Sequence, residues 1–346
     1  MKALGAIFFK IFIITACAVL PLACGGPKEH SLAGETMGTT YHIKVVAGQS
    51  VDWKAVHQMI EARLAQINQS MSTFRPDSEI SRFNAMTRTD EPFPISADFL
   101  RVMLSAREIH RLSQGAWDGT VDPLVDLWGF GKSGPLKNSI PPAQAIERAR
   151  RQVGFNLIDI SVNGYLTKKS PHVTVDLASI AKGYGVDQIA VLLNGFGFKN
   201  YLVEIGGEVY AAGRRPDGQN WRVGISRPQA GAAPEDVYKV VRLHKAALAT
   251  SGDYRNFYRI DGRTYAHIID PRTGYPLQNG VVSASVVADN CTLADGLATA
   301  LMVMGPKQGV ALLDRLSGVE GMIVVRQPDG ALENFQSQGI SAHFED

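Results

Sequence analysis

Tyr254-Arg-Asn-Phe-Tyr-Arg-Ile-Asp-Gly-Arg-Thr-Tyr-Ala-His-Ile-Ile269 reads as two strands, Tyr254–Ile260 and Thr264–Ile269, joined by Asp261-Gly262. That dipeptide suits the positive backbone angles of a two-residue hairpin turn. Around the hairpin the chain steps between strands and helices. Upstream, Val173–Val175 feeds a helix over Ile180–Leu193, and strands follow at Tyr201–Ile205 and Val209–Ala212. Downstream come a strand Val281–Val287, helices Leu293–Met304 and Gln308–Leu316, and a strand Gly321–Arg326. Hairpins interspersed with strand-helix steps indicate an α+β fold with mixed or antiparallel sheets and packed helices.

The first half of the chain supplies more helices. A strand is expected over Thr39–Val46. From Asp52 to Gln69, apolar residues at Val56, Met59, Ile60, Leu64 and Ile67 follow helical spacing and make a core-facing stripe. Phe99, Val102, Met103, Ala106 and Ile109 repeat the pattern behind Ser96, a suitable N-cap, and the helix ends near Ser113. Gly115–Gly134 reads as ordered loop.

The N-terminus has the layout of an export signal, with Lys2 and Lys10 ahead of an apolar run from Ile11 to Ala23. That run is short for a membrane span, which needs about 20 apolar residues. Leu22-Ala23-Cys24 resembles a lipoprotein processing site, so residues 1–23 are expected to be the signal peptide, Cys24 the lipidated residue, 24–32 a tether and 33–346 the folded part. Cleavage without lipid is the alternative. Loss of Cys17 and lipidation of Cys24 leave only Cys291 in the folded part, so no internal disulfide forms and a large core must carry stability. The whole chain has 35 Lys+Arg and 33 Asp+Glu, two of the lysines lying in the signal. A neutral body without a basic run argues against a nucleic-acid surface.

Several stretches carry candidate chemistry. His172–Asp187 brings small residues to a helix start, where free N–H groups and the helix dipole meet phosphate and Lys182 adds a cation. Asp176 and Ser179 could equally cap that helix. Asp295 and Thr299, four apart, share a helix face and offer hard oxygen ligands suited to Mg²⁺ beside substrate phosphates. The plainer alternative has Thr299 bonding back to the preceding turn. His267 closes the hairpin just before a Pro- and Gly-rich turn, where a base or a structural histidine beside Asp270 would both fit. Trp117 could stack on a flat ring or fill core.

Taken together, these stretches resemble the FAD:protein FMN transferases, the ApbE-like lipoprotein family. The agreement includes Glu35–Thr40, Met71–Asn84, Gly115–Leu124, Leu127–Gly131, Val175–Gly183, Tyr201–Glu208, Ala249–Tyr254, His267–Pro271 and Ala294–Thr299, in that order. The resemblance implies an ApbE-like fold of two closely associated lobes. It implies FAD as substrate, contacted by Met37, Phe74, Ala116, Trp117, Asp118, Asp176, Lys182 and Ile269. It implies Mg²⁺ or Mn²⁺ on Asp295, Thr299 and the main-chain oxygen of Ser179, with His267 as catalytic base. The implied partners are acceptor subunits of membrane redox complexes, and the implied location is the periplasmic side of the inner membrane through a lipid anchor.

Three positions depart from patterns found in the family. Ala298 stands where some members have a second metal-binding Asp, Phe74 where Tyr is frequent, and Lys182 where some have an acid. Two rival readings are a metal-dependent FAD pyrophosphatase, with water as acceptor, and a flavin-holding lipoprotein without catalysis.

Overall fold

The computed structural model describes residues 28–345 apart from 49–50, 132–133, 135–138, 230, 232, 234–235, 254–256 and 261–262. The expected signal, Cys24 and the Asp261-Gly262 turn lie outside the described residues, as does Tyr254.

Eight strands form the central sheet: β1 (Lys28–Thr36), β2 (Thr39–Ala47), β3 (Tyr201–Ile205), β4 (Glu208–Ala212), β5 (Ala246–Gly252), β6 (Val281–Ala288), β7 (Glu320–Arg326) and β8 (Leu332–Gln336). They lie side by side in chain order, every neighbour antiparallel. The fold is therefore an antiparallel meander whose connections have been expanded. Residues 48–200 leave the sheet between β2 and β3 and contain α1 (Trp53–Met71), α2 (Ala97–Leu112) and α3 (Ala178–Gly195). A fourth long helix, α4 (Cys291–Leu313), joins β6 to β7.

The four helices cover one face of the sheet. Ile43, Val203, Ala249, Val286 and Ile323 meet Ile60, Ile109, Ile189 and Leu297 in one buried cluster. Alternate positions such as Leu248, Val282 and Val324 point the other way, under the hairpin Trp221–Ser226/Val237–Leu243. Cover on both sides explains why β6 is buried at all eight positions, Ser283 and Ser285 included. Truncating a side chain in such a core to Ala costs about 2–5 kcal/mol. A smaller lobe has its own core of Leu124, Trp128, Ile146, Tyr265 and Ile269, and Trp128 Nε1 donates to the Gly274 carbonyl at 2.8 Å.

Several elements match their sequence signals. Ser96 Oγ accepts the Phe99 N–H at 3.2 Å, and all five stripe residues of α2 are buried. Asp52 caps α1 through the Ala55 N–H. Met59 is a correction, because the buried stripe of α1 runs through Val56, Ile60, Leu64, Ile67 and Met71 and leaves Met59 47% exposed at its margin.

Other differences have local causes. Residues 28–32, expected as tether, belong to β1, an edge strand whose outward positions are polar and so lack an apolar signature. Val173–Val175 is not a strand; Asn84 substitutes for a neighbouring strand, accepting the Val175 N–H and donating to the Val175 carbonyl, both at 2.8 Å. The loop Gly115–Gly134 contains a short helix, Asp122–Leu127. The two helices expected after β6 are both present within α4, separated by a non-helical break at Gly305 (φ 74°) just ahead of Pro306. The second strand of the hairpin ends at Ala266 and not at Ile269, so His267 follows it.

Candidate functional site

The N-terminal turn of α3 packs against the N-terminal part of α4 closely enough that a Cβ on Gly183 would lie 2.3 Å from the Cys291 carbonyl oxygen. Asp187, on the next turn, accepts the Cys291 and Thr292 N–H groups at 2.7 and 2.9 Å, supplementing the local cap, Asn290. One helix thus caps the other, satisfying free N–H groups at the start of α4. This contact sets Asp295 beside α3, where it accepts the Gly183 N–H at 3.0 Å. The helical ladder aims that same N–H at the Ser179 carbonyl, so the two oxygens compete for one donor.

Lys182 lies between two buried carboxylates, its Nζ 3.2 Å from Glu208 Oε2 and 4.0 Å from Asp295 Oδ1. Glu208 opens β4 directly after the Gly206-Gly207 turn. Burial, and next the Asp295 charge, push the Glu208 carboxyl up to about 8 despite the Lys182 ammonium. Burial likewise raises Asp295. For Lys182, burial pulls the ammonium down but the Asp295 and Glu208 charges outweigh it, and its pKa rises.

The two carboxyls and the Lys182 ammonium form one buried, electrostatically linked group. Beside them, Thr299 Oγ1 lies 3.0 Å from Ser251 Oγ. Among the described residues no group of three or more His, Cys, Asp or Glu could hold a metal. A cation here would rest on one carboxylate with hydroxyl and main-chain oxygens, a hard donor set that fits Mg²⁺ or Mn²⁺ and not zinc.

These groups face a cavity of about 410 Å³. Its walls include Ala116, Trp117 and Asp118 from the first excursion, Ser179 and Lys182 from α3, His267 and Ile269 from the smaller lobe, and Asp295 and Thr299 from α4. A second cavity, of about 660 Å³, takes in Met37, Phe74, Asp176 and Lys182. Ala178 and Lys182 line both, so the cavities adjoin at the start of α3. All the residues singled out for FAD, metal and base thus gather around one two-chambered depression.

Individual residues divide between support and surface. Trp117 is 2% exposed, and its Nε1 donates to Ser179 Oγ at 2.9 Å, so it is largely core with an edge on the cavity. Asp118 accepts Thr120 N–H, Thr120 Oγ1–H and Phe155 N–H at 2.8, 2.6 and 3.1 Å, fixing its own loop. Asp176 Oδ1 accepts the Ala178 N–H at 2.8 Å, a capping role that leaves it on the cavity wall. Phe74 is 88% exposed, a solvent-facing ring at a cavity edge. Met37 has φ 50° and shares a two-residue turn with Gly38 at φ 73°. Such a turn favours Asn-Gly, so Met at its tip holds a backbone conformation that costs a non-glycine residue energy.

His267 follows Arg263–Ala266 and sits edge-on to Phe130, ring centroids 6.4 Å apart. Its neighbour Asp270 receives hydrogen bonds from the Arg272 guanidinium at 2.9 and 2.8 Å. Sequence reading did not single out Glu208, Thr250 or Ser251, which also line the smaller cavity. A carboxylate directly after a Gly-Gly turn was the available signal for Glu208.

The family model described as the ApbE family matches residues 37–323. A protein named FAD:protein FMN transferase from Vibrio cholerae serotype O1 is 41% identical over 325 residues, 93% of this chain and 96% of that protein. One of the same name from Haemophilus influenzae is 40% identical over 324 residues, 92% of this chain and 93% of that protein. The solved flavin transferase ApbE from Vibrio cholerae superposes with a TM-score of 0.83 at 40% identity, covering 92% of this chain and 99% of that one. With family model, relatives and solved structure all matching over nearly the whole described chain, this protein belongs to the ApbE family.

Proposed function

We propose that this chain is an FAD:protein FMN transferase that binds FAD across the two adjoining cavities, with the diphosphate at their junction. The observation that carries the reading is that Lys182 and Ala178, at the start of α3, are walls of both cavities. A helix start there offers N–H groups and a positive dipole end to a diphosphate, and Lys182 adds an ammonium.

In this reading His267 takes the proton from a Thr or Ser hydroxyl of the acceptor protein as that oxygen attacks the FMN-side phosphorus. A phosphoester to the acceptor forms, the diphosphate P–O bond breaks and AMP leaves. Proton removal contributes about 10² to 10⁴-fold, and the remainder comes from holding oxygen and phosphorus in line. Asp295, Thr299 and the Ser179 main-chain oxygen are the groups that would hold Mg²⁺ or Mn²⁺, which would neutralise charge on the phosphate oxygens. Lys182, kept in place by Glu208, supports the same oxygens. The acceptors proposed are subunits of membrane redox complexes. The basic-then-apolar segment ending at Cys24 supports a lipid anchor on the periplasmic side of the inner membrane.

The test is to incubate the purified protein with FAD, Mg²⁺ and a candidate acceptor and look for flavin fluorescence that survives denaturing electrophoresis. A fluorescent acceptor band is expected. Free FMN and AMP without a band would mean hydrolysis instead, and intact FAD would mean a flavin holder.

A further inference from the structure

At the end of the sheet opposite the cavities, four rings form a ladder. His30 of β1 stacks on Trp53 at 4.2 Å, Trp53 stacks on Phe198 at 5.6 Å, and Phe198 lies 6.0 Å from Phe196. Phe196 is 38% exposed, and Val191, one turn before the end of α3, is 63% exposed. Exposed lysines flank the ladder: Lys28 starts β1, Lys54 follows Trp53, and Lys199 follows Phe198. The nearby acids are engaged, Glu29 with Lys44 at 3.3 Å and Asp52 in capping α1. Two amphipathic rings, His30 and Trp53, extended by two apolar ones, Phe198 and Phe196, and flanked by lysines, are a side-chain set that settles at a bilayer interface of anionic headgroups.

We propose that this end of the molecule is its membrane-facing surface, seated on anionic phospholipid headgroups. The proposal rests on lipidation of Cys24. Three residues lie between Cys24 and Lys28, four backbone steps in all, so a lipid on Cys24 keeps the start of β1 within about 14 Å of the bilayer. The ladder is built on that same start.

Three elements then measure the height of the flavin site. β1 runs nine residues from the ladder to the Met37 turn, α1 runs 19 residues from Trp53 to Met71 beside the larger cavity, and α3 runs 18 residues back from the cavities to Phe196. Each spans about 27–30 Å at standard rise. The chain holds its site that far above the bilayer, facing away from it, and modifies acceptors whose target hydroxyl stands at that height.

The full-length lipidated protein in vesicles of phosphatidylethanolamine and phosphatidylglycerol, with rhodamine-labelled lipid as energy acceptor, tests this. A fluorophore is placed at Asn194→Cys, at the ladder end, or at Asp77→Cys, at the cavity end. Energy transfer several-fold greater from position 194 is expected. Lys28→Glu with Lys54→Glu should shrink that difference while leaving transfer of FMN to a soluble acceptor unchanged. Equal transfer from both positions, or more from 77, overturns the orientation. Protein that fails to float with the vesicles overturns the Cys24 anchor and the orientation with it.

Discussion

Gly183 N–H donates to Asp295 Oδ2 at 3.0 Å across the line where α3 and α4 touch. A Cβ at Gly183 would meet the Cys291 carbonyl oxygen at 2.3 Å and Asp295 Cβ at 2.9 Å. Since the nearest obstacle is backbone, Gly183→Ala must push the helices apart, at about 1–3 kcal/mol. A lower Tm and weaker FAD binding are expected together, read by thermal melting and a flavin fluorescence titration. An unchanged Tm would show that the contact has slack.

His267→Ala should reduce transfer about 10² to 10⁴-fold while FAD affinity stays at the parent value, because the ring is assigned to the proton and not to the diphosphate. Initial rates against fluorescence quenching separate the two. Parent-like rates would require another base.

At Asp295 charge and hydrogen bonding can be separated. Asp295→Asn retains an acceptor for the Gly183 N–H but loses the charge, so Mg²⁺ and FAD should both bind more weakly with little change in Tm. Asp295→Ala should lose binding and also lower Tm, having left a buried donor unpaired at about 1–3 kcal/mol. Calorimetry with both ligands unchanged in both variants would remove Asp295 from the site.

Glu208 gives the protein a pH signature. Burial first, then Asp295, lift its carboxyl from 4.5 to about 8. Between those values the folded state holds a proton that the unfolded chain releases, so its contribution is complete below about pH 4.5 and is lost as pH rises through about 8. Glu208→Gln, which is neutral throughout, should flatten the fall of Tm between pH 5 and 8 in metal-free buffer. A parent-like slope would assign it to another group.

The sequence was most legible where one physical signal dominated. Phe99, Val102, Met103, Ala106 and Ile109 announced α2 because helical spacing and the Ser96 cap agreed. Lys28–Leu32 was opaque because an edge strand shows polar residues outward, as a tether does. Val173–Val175 misled because its β-branched residues suit a ladder, whereas the hydrogen-bond partner is the distant Asn84 side chain. Local motifs pointed to Asp295, Lys182 and His267, yet Glu208 emerged only once the β3–β4 turn set it against Lys182. Nothing local in the sequence records that approach.

The excursion between β2 and β3 also bears on how the molecule is made. His42 and Glu204, on adjacent strands and bonded at 2.7 Å, are 162 positions apart along the polymer. β1 and β2 can zip as soon as they emerge, but the free edge of β2 then waits for β3, and closing so long a loop carries an entropy toll before any contact rewards it. Slow maturation with a temporarily sticky border follows, which makes assistance from a holding chaperone most valuable early, before the Met37 turn meets its Gly206 counterpart.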